Sequence, residues 1–114
     1  VQGMGLFCME ELLWARDGHL RTRNVSTYKI PTHDDIPVEF NVQILKSPNP
    51  RAVTGNKTVG EAGIQLAISV VHALKQAIYA ARKEGMPEDE ANRFFVFNTP
   101  TTCEKIRLAC PSPF

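Results

Sequence analysis

The sequence predicts an α+β fold in which short strands accompany one long central helix, with short helices near the N- and C-terminal ends. Three observations predict it. Val38, Phe40, Val42 and Ile44 alternate with Glu39, Asn41 and Gln43, the period of a strand with one apolar face. From Gly60 to Glu84, polar side chains fall at Gln65, Ser69, His72, Gln76, Tyr79 and Lys83, a repeat of three to four that draws one polar stripe along a helix. Phe94-Phe95-Val96-Phe97 is an unbroken apolar run of the length of a buried strand.

The remaining elements follow in chain order. Leu6, Met9 and Leu13, flanked by Leu12, make one face of a short helix ending near Trp14. Asp17-Gly18 is a turn, because both residues tolerate the backbone angles that a tight reversal needs. Residues 20–30 are rich in Thr, Val and Tyr and suit extended structure. Pro31 and Pro37 bracket a loop that holds Asp34-Asp35. Ser47-Pro48-Asn49-Pro50 ends the alternating strand, since proline cannot donate to a ladder.

The long helix is apolar around most of its first four turns, which predicts cover on most sides. Each buried Ile, Leu or Val there contributes about 1.5–3 kcal/mol. Arg82 and Lys83 suit the negative end of its dipole, and Gly85 with Pro87 stops it. Thr101-Thr102-Cys103-Glu104 reads as a capping box opening a last helix through Ile106 and Leu108 to Pro111. No repeat or linker interrupts residues 1–114, so they read as a single segment.

Composition narrows the function. Thirteen Lys+Arg against twelve Asp+Glu leave a formal charge of +1, too little for a nucleic-acid module that must displace counterions from phosphates. No uninterrupted apolar run approaches the ~20 residues that cross a bilayer, so no membrane partner is expected. Cys8, Cys103 and Cys110 are odd in number and form no metal-ligand spacing with His19, His33 or His72, which predicts buried free thiols and a reducing, cytoplasmic setting. The sequons Asn24-Val25-Ser26 and Asn56-Lys57-Thr58 would matter only in a secreted glycoprotein. The chain opens apolar, Val1-Gln2-Gly3-Met4-Gly5-Leu6-Phe7, without the basic stretch of a signal peptide, and reads as a core segment continuing from preceding polypeptide.

Few residues carry chemistry. His19, Arg21 and Arg23 share one side of an extended segment, either a solvated face or an anion contact. Asp34-Asp35 reads as a loop pair without a metal partner, and His72 as a surface residue on the polar stripe. Glu61 stands just after Val59-Gly60, where an extended segment meets the long helix. A carboxylate there is favoured by the helix dipole by ~0.3–1 kcal/mol. The alternative is functional: Gly60 permits close approach to a ligand, and the helix start aims the Glu61 carboxylate.

Several blocks occur in order: Val1 to Phe7 with Glu10-Glu11-Leu12, Ser26-Thr27-Tyr28-Lys29-Ile30-Pro31, Ile36-Pro37 with Glu39-Phe40, Lys57-Thr58-Val59-Gly60-Glu61, Ala80-Ala81-Arg82, and Glu104-Lys105-Ile106-Arg107 with Ala109-Cys110. Together they resemble the C-terminal part of the molybdenum-binding domain of xanthine dehydrogenases and aldehyde oxidases, over essentially the whole chain. The resemblance implies a molybdenum hydroxylase that inserts water-derived oxygen into an aldehyde or an N-heterocycle. It implies that Glu61 is the general base that takes the proton from Mo–OH, with Gly60 close to the molybdenum site and no metal ligand on this chain.

The resemblance also implies a molybdopterin-bound molybdenum held by the rest of the domain, and iron–sulfur clusters and FAD on other domains. Ala62-Gly63 departs from the Pro-Pro of xanthine dehydrogenases and looks more like the aldehyde oxidase branch. Alone, the chain is expected to be inactive and to self-associate through exposed apolar faces. The rival reading is a non-catalytic, free-standing relic that serves as a structural or interaction module.

Overall fold

The computed structural model describes residues 1–44, 46, 50–51 and 61–111. Its elements are α1 (Gln2–Cys8), a 3-10 turn at His33–Asp35, α2 (Glu61–Leu66), α3 (Ile68–Gly85), α4 (Glu88–Ala91) and α5 (Cys103–Ala109). The expected long helix is present as two pieces. At Ala67 the backbone bonds tighten, Ala67 N–H reaching Ile64 C=O at 3.1 Å and Val70 N–H reaching Ala67 C=O at 3.0 Å. These three-residue steps locally replace the four-residue ladder.

The break lies where α1 packs. Gly3 and Gly5 are buried in α1. A Cβ on Gly3 would run into Cβ of Ala67 and stand 3.0 Å from the Ile64 carbonyl oxygen. A Cβ on Gly5 would run into the Pro31 ring, 2.5 Å from its Cγ. The two glycines therefore bring α1 into backbone contact with the α2–α3 junction on one side and the Pro31 loop on another.

At its end, α1 is tied to the last part of the chain. Thr101 N–H donates to Phe7 C=O at 2.7 Å, and the Thr101 hydroxyl lies 3.1 Å from the same oxygen and 3.3 Å from Cys8 Sγ. Thr101 is 1% exposed, so its polar groups are satisfied where water does not reach. The capping box expected at Thr101–Glu104 does not form for this reason. Thr102 is the N-cap instead, accepting from Lys105 N–H at 3.5 Å.

The short strands of the α+β expectation are not found among the described residues, which are helical or irregular apart from one antiparallel bridge between Trp14 and Leu20. Among the described residues, 38–44 have no neighbouring strand to bond, and their apolar side chains Val38, Phe40, Val42 and Ile44 are exposed like the polar ones between them. Residues 94–97 form an extended strap along α3, not a buried strand. Phe95 meets Tyr79 edge-on at 5.1 Å and Phe97 at 5.9 Å, and the Arg82 guanidinium lies 4.6 Å over the Phe95 ring. Phe94 and Val96 face outward. Period-two patterning needs a second strand before it becomes a sheet.

The first helix also stops earlier than its apolar pattern predicts. Leu12, Leu13 and Trp14 lie beyond it, because Leu13 is drawn into a hairpin-like arm by Arg21 N–H to Leu13 C=O at 2.7 Å and Leu13 N–H to Thr22 Oγ1 at 3.1 Å. The expected Asp17-Gly18 turn closes that arm, with Gly18 at φ +85°.

The cover expected around the long helix is not supplied by the described residues. Val71, Ile78 and Ala91 are the buried apolar residues among those described, while Leu66 is 74% exposed. Accessible surface totals 9748 Å², against roughly 6,200 Å² for a compact chain of this mass. The radius of gyration is 18.4 Å, where about 13 Å is usual for a compact domain of this length. By length and composition alone, Ala62–Gly85 reaches the threshold of a membrane-crossing helix. Gln65, Ser69, His72, Lys75 and Gln76 interrupt its apolar sequence. A core helix of a larger soluble body has the same composition.

Gly3→Val should lower stability by about 1–3 kcal/mol, because overpacking here displaces backbone and not a flexible side chain. Urea unfolding of the full-length protein reads this directly, and an unchanged midpoint contradicts the close-approach account.

Candidate active site

Glu61 is the first residue of α2. Gly60 and the rest of the Lys57–Gly60 approach lie outside the described residues. One turn beyond Glu61, Ile64 and Ala67 meet Gly3 of α1, so the helix that begins with Glu61 is held by a backbone-close contact. The other side of that first turn is open. Ala62 and Leu66 are exposed, and a Cβ on Gly63 would meet nothing within 4 Å. This side of α2 is thus solvent-facing among the described residues.

No group of three His, Cys, Asp or Glu side chains comes together for a metal among the described residues. Each remaining candidate has a local explanation. Asp35 accepts from Thr32 N–H at 2.7 Å and from its hydroxyl at 3.1 Å, capping the 3-10 turn. Asp34 pairs with His33 at 2.8 Å in an exposed contact. His72 is exposed on α3, as its stripe predicts. His19, Arg21 and Arg23 are exposed on the arm. The thiols are free but less enclosed than expected: Cys103 is exposed, and Cys8 and Cys110 are half-buried. Short helices with one packed side leave no interior to receive them. Asn24 Oδ1 accepts from Ser26 N–H at 3.0 Å and Thr27 N–H at 3.1 Å, forming a local turn. Asn56 lies outside the described residues.

Residue types alone gave no signal for two cross-links that brace this frame. The Tyr28 hydroxyl donates to Glu10 Oε2 at 2.5 Å. Lys105 Nζ pairs with Glu11 Oε1 at 3.0 Å and donates to Pro100 C=O at 2.8 Å. Adjacent acids at 10 and 11 thus hold residue 28 and residue 105, joining distant parts of the chain.

The family model of the molybdopterin cofactor-binding domain matches residues 1–37. Over its whole length the chain is similar to xanthine dehydrogenase/oxidase of Rattus norvegicus, 49% identical over 115 residues. It is 44% identical over 115 residues to xanthine dehydrogenase of Dictyostelium discoideum, and 43% identical over 114 residues to aldehyde oxidase 4 of Cavia porcellus. The chain belongs to the xanthine dehydrogenase and aldehyde oxidase family. Each alignment covers 100% of this chain and 8% of the relative, so the chain matches one short stretch of a much longer molybdenum-domain oxidoreductase. Glu61 falls outside the cofactor-domain match and inside the whole-chain alignments.

The Glu10 bond has a titration signature. Hydrogen bonding to Glu10, then desolvation, then the negative charge of Glu10 raise the Tyr28 hydroxyl above its ordinary value of 10.0. Any stabilisation from the neutral phenol is therefore complete below the unfolded value and lost as pH rises through the higher folded one. Ultraviolet difference titration should place Tyr28 ionisation above that of the unfolded protein, and Glu10→Gln should bring it down. A tyrosine step indifferent to Glu10→Gln refutes the assignment.

Proposed function

We propose that residues 1–114 are one C-terminal segment of the molybdopterin-binding domain of a molybdenum hydroxylase, and that Glu61 is its general base. The observation that carries this reading is the Lys57-Thr58-Val59-Gly60-Glu61 run at the entry to α2, within a chain 49% identical to a xanthine dehydrogenase/oxidase. The residues described here fit a supporting role toward the cofactor. Glu61 opens α2, and the exposed Ala62, Gly63 and Leu66 follow it on that helix.

The molybdenum cofactor, held by the remainder of the domain, supplies the two-electron redox chemistry, with iron–sulfur clusters and FAD on other domains carrying electrons away. This chain supplies proton transfer. Glu61 accepts a proton from the water-derived nucleophile as that oxygen is delivered to an aldehyde or to a carbon beside a ring nitrogen. The α1 contact at Gly3 holds α2, the helix that Glu61 opens. Gly60, without a side chain, leaves room for the reacting groups beside it. Ala62-Gly63 looks like the aldehyde oxidase branch, whereas identity over the whole chain is 49% to the rat xanthine dehydrogenase/oxidase and 43% to aldehyde oxidase 4, so the substrate class is an aldehyde or an N-heterocycle.

The apolar surface bears on the rival reading. A free-standing structural relic would have to keep Leu66, Val38 and Phe94 in water, whereas a segment of a larger domain covers them with the rest of that domain. Self-association of the excised chain follows from the same surface. Three unpaired cysteines accord with a cytoplasmic protein.

In the intact enzyme, Glu61→Gln should cut turnover by roughly 10²–10⁴-fold, the usual contribution of a positioned base, with molybdenum content unchanged by metal analysis. Near-normal turnover sinks the base assignment, and the excised chain should bind no molybdenum.

A further inference from the structure

The arm that spans Trp14 to Arg23 has no task in the proposed reaction, yet a bridge and several hydrogen bonds hold it. The Trp14–Leu20 bridge, Ala15 N–H to His19 C=O at 2.8 Å, Gly18 N–H to Ala15 C=O at 3.0 Å and the two Leu13 bonds hold it in one shape. Its outer side is crowded with cations. Arg21 is shared by two adjoining depressions, one lined also by His19 and Arg23, the other by Trp14 and Arg16. Trp14 is 63% exposed.

Charge pairing leaves the arginines unoccupied. Asp17, the one acid of the arm, is engaged with His19, at 3.3 Å through Nδ1 and 3.1 Å through the backbone N–H. Among the described residues, Arg16, Arg21 and Arg23 have no carboxylate partner. The net charge of the chain is only +1, so this is a local concentration and not a reflection of a basic protein.

We propose that this arm is a docking surface for an acidic protein segment. A rigid exposed tryptophan between arginines has the composition of an interface anchor, because aromatic area and guanidinium forks carry most binding energy at interfaces. Pre-formed geometry reduces the ordering cost of binding. Carboxylates spaced along a peptide can meet the arginine forks in pairs. The Asp17 carboxylate, which lines both depressions, repels a continuous phosphate backbone more than it repels acids interrupted by neutral residues. That favours an acidic protein over nucleic acid.

The test is fluorescence anisotropy of a labelled peptide alternating Glu and Gly, titrated with the full-length protein. Saturable binding should weaken steeply as salt rises. Arg21→Glu should weaken it at least about tenfold, as should Trp14→Ala, on the scale of an interface hot spot. Arg107→Glu, an equal charge change on an exposed residue of α5, should leave it within about twofold. Arg21 holds the arm only through its backbone, so its variant should keep the thermal midpoint of the parent. The proposal is overturned by any of three results: no saturable binding, which is also the result if the rest of the polypeptide covers the arm; equal losses at Arg21 and Arg107; or tighter binding of a DNA duplex with the same dependence on Arg21.

Discussion

The approach of α1 to the α2–α3 junction is the constraint on which the rest of this structure depends. Gly3 has no side chain, so the backbone of α1 can lie against Ala67 and Ile64. That contact coincides with the tightened turn dividing the long helix, and it lies one turn from Glu61. Gly5 makes the same kind of approach to Pro31, and the far end of α1 carries the buried Thr101 bonds. A seven-residue helix is too short to be stable by itself in water. Here it is held by its neighbours on several sides, and it orders them in return.

Around that hub, the motifs carrying the family likeness are bonded to one another. Glu10 holds Tyr28 and Glu11 holds Lys105, while Gly5 meets Pro31. These blocks are distant in sequence, and their function is mutual support. Between Phe95, Tyr79 and Arg82 a second brace fastens the 94–97 strap to α3.

Much of the local structure was legible. The turn at Asp17-Gly18, the stop at Gly85, the last helix and the surface position of His72 all follow from rules that act within a few residues. Failures came where the outcome depends on a distant partner. Val38 to Ile44 and Phe94 to Phe97 alternate as strands do, but a ladder requires a neighbour that the described residues do not supply. Thr101 has the residue type of a cap and was diverted to Phe7, ninety-four positions away, because a buried hydrogen bond outweighs a local one at an exposed helix end. The cysteines were expected inside because thiols are usually buried, but with three enclosed apolar side chains among the described residues there is little interior to hold them. The Glu10–Tyr28 and Glu11–Lys105 links had no signal in residue type.

The sequence by itself determined the family, the helical segments and their stops, and the presence of a glutamate where a helix begins, because each is written in short motifs and local periodicity. Only the tertiary structure decided that α1 is the hub, that the long helix divides at Ala67, and that, among the described residues, the strand-like segments stay unpaired and the apolar face of the helices is left open. Those outcomes depend on which surfaces meet, and surface contact between residues far apart in the chain has no representation in the local order of side chains.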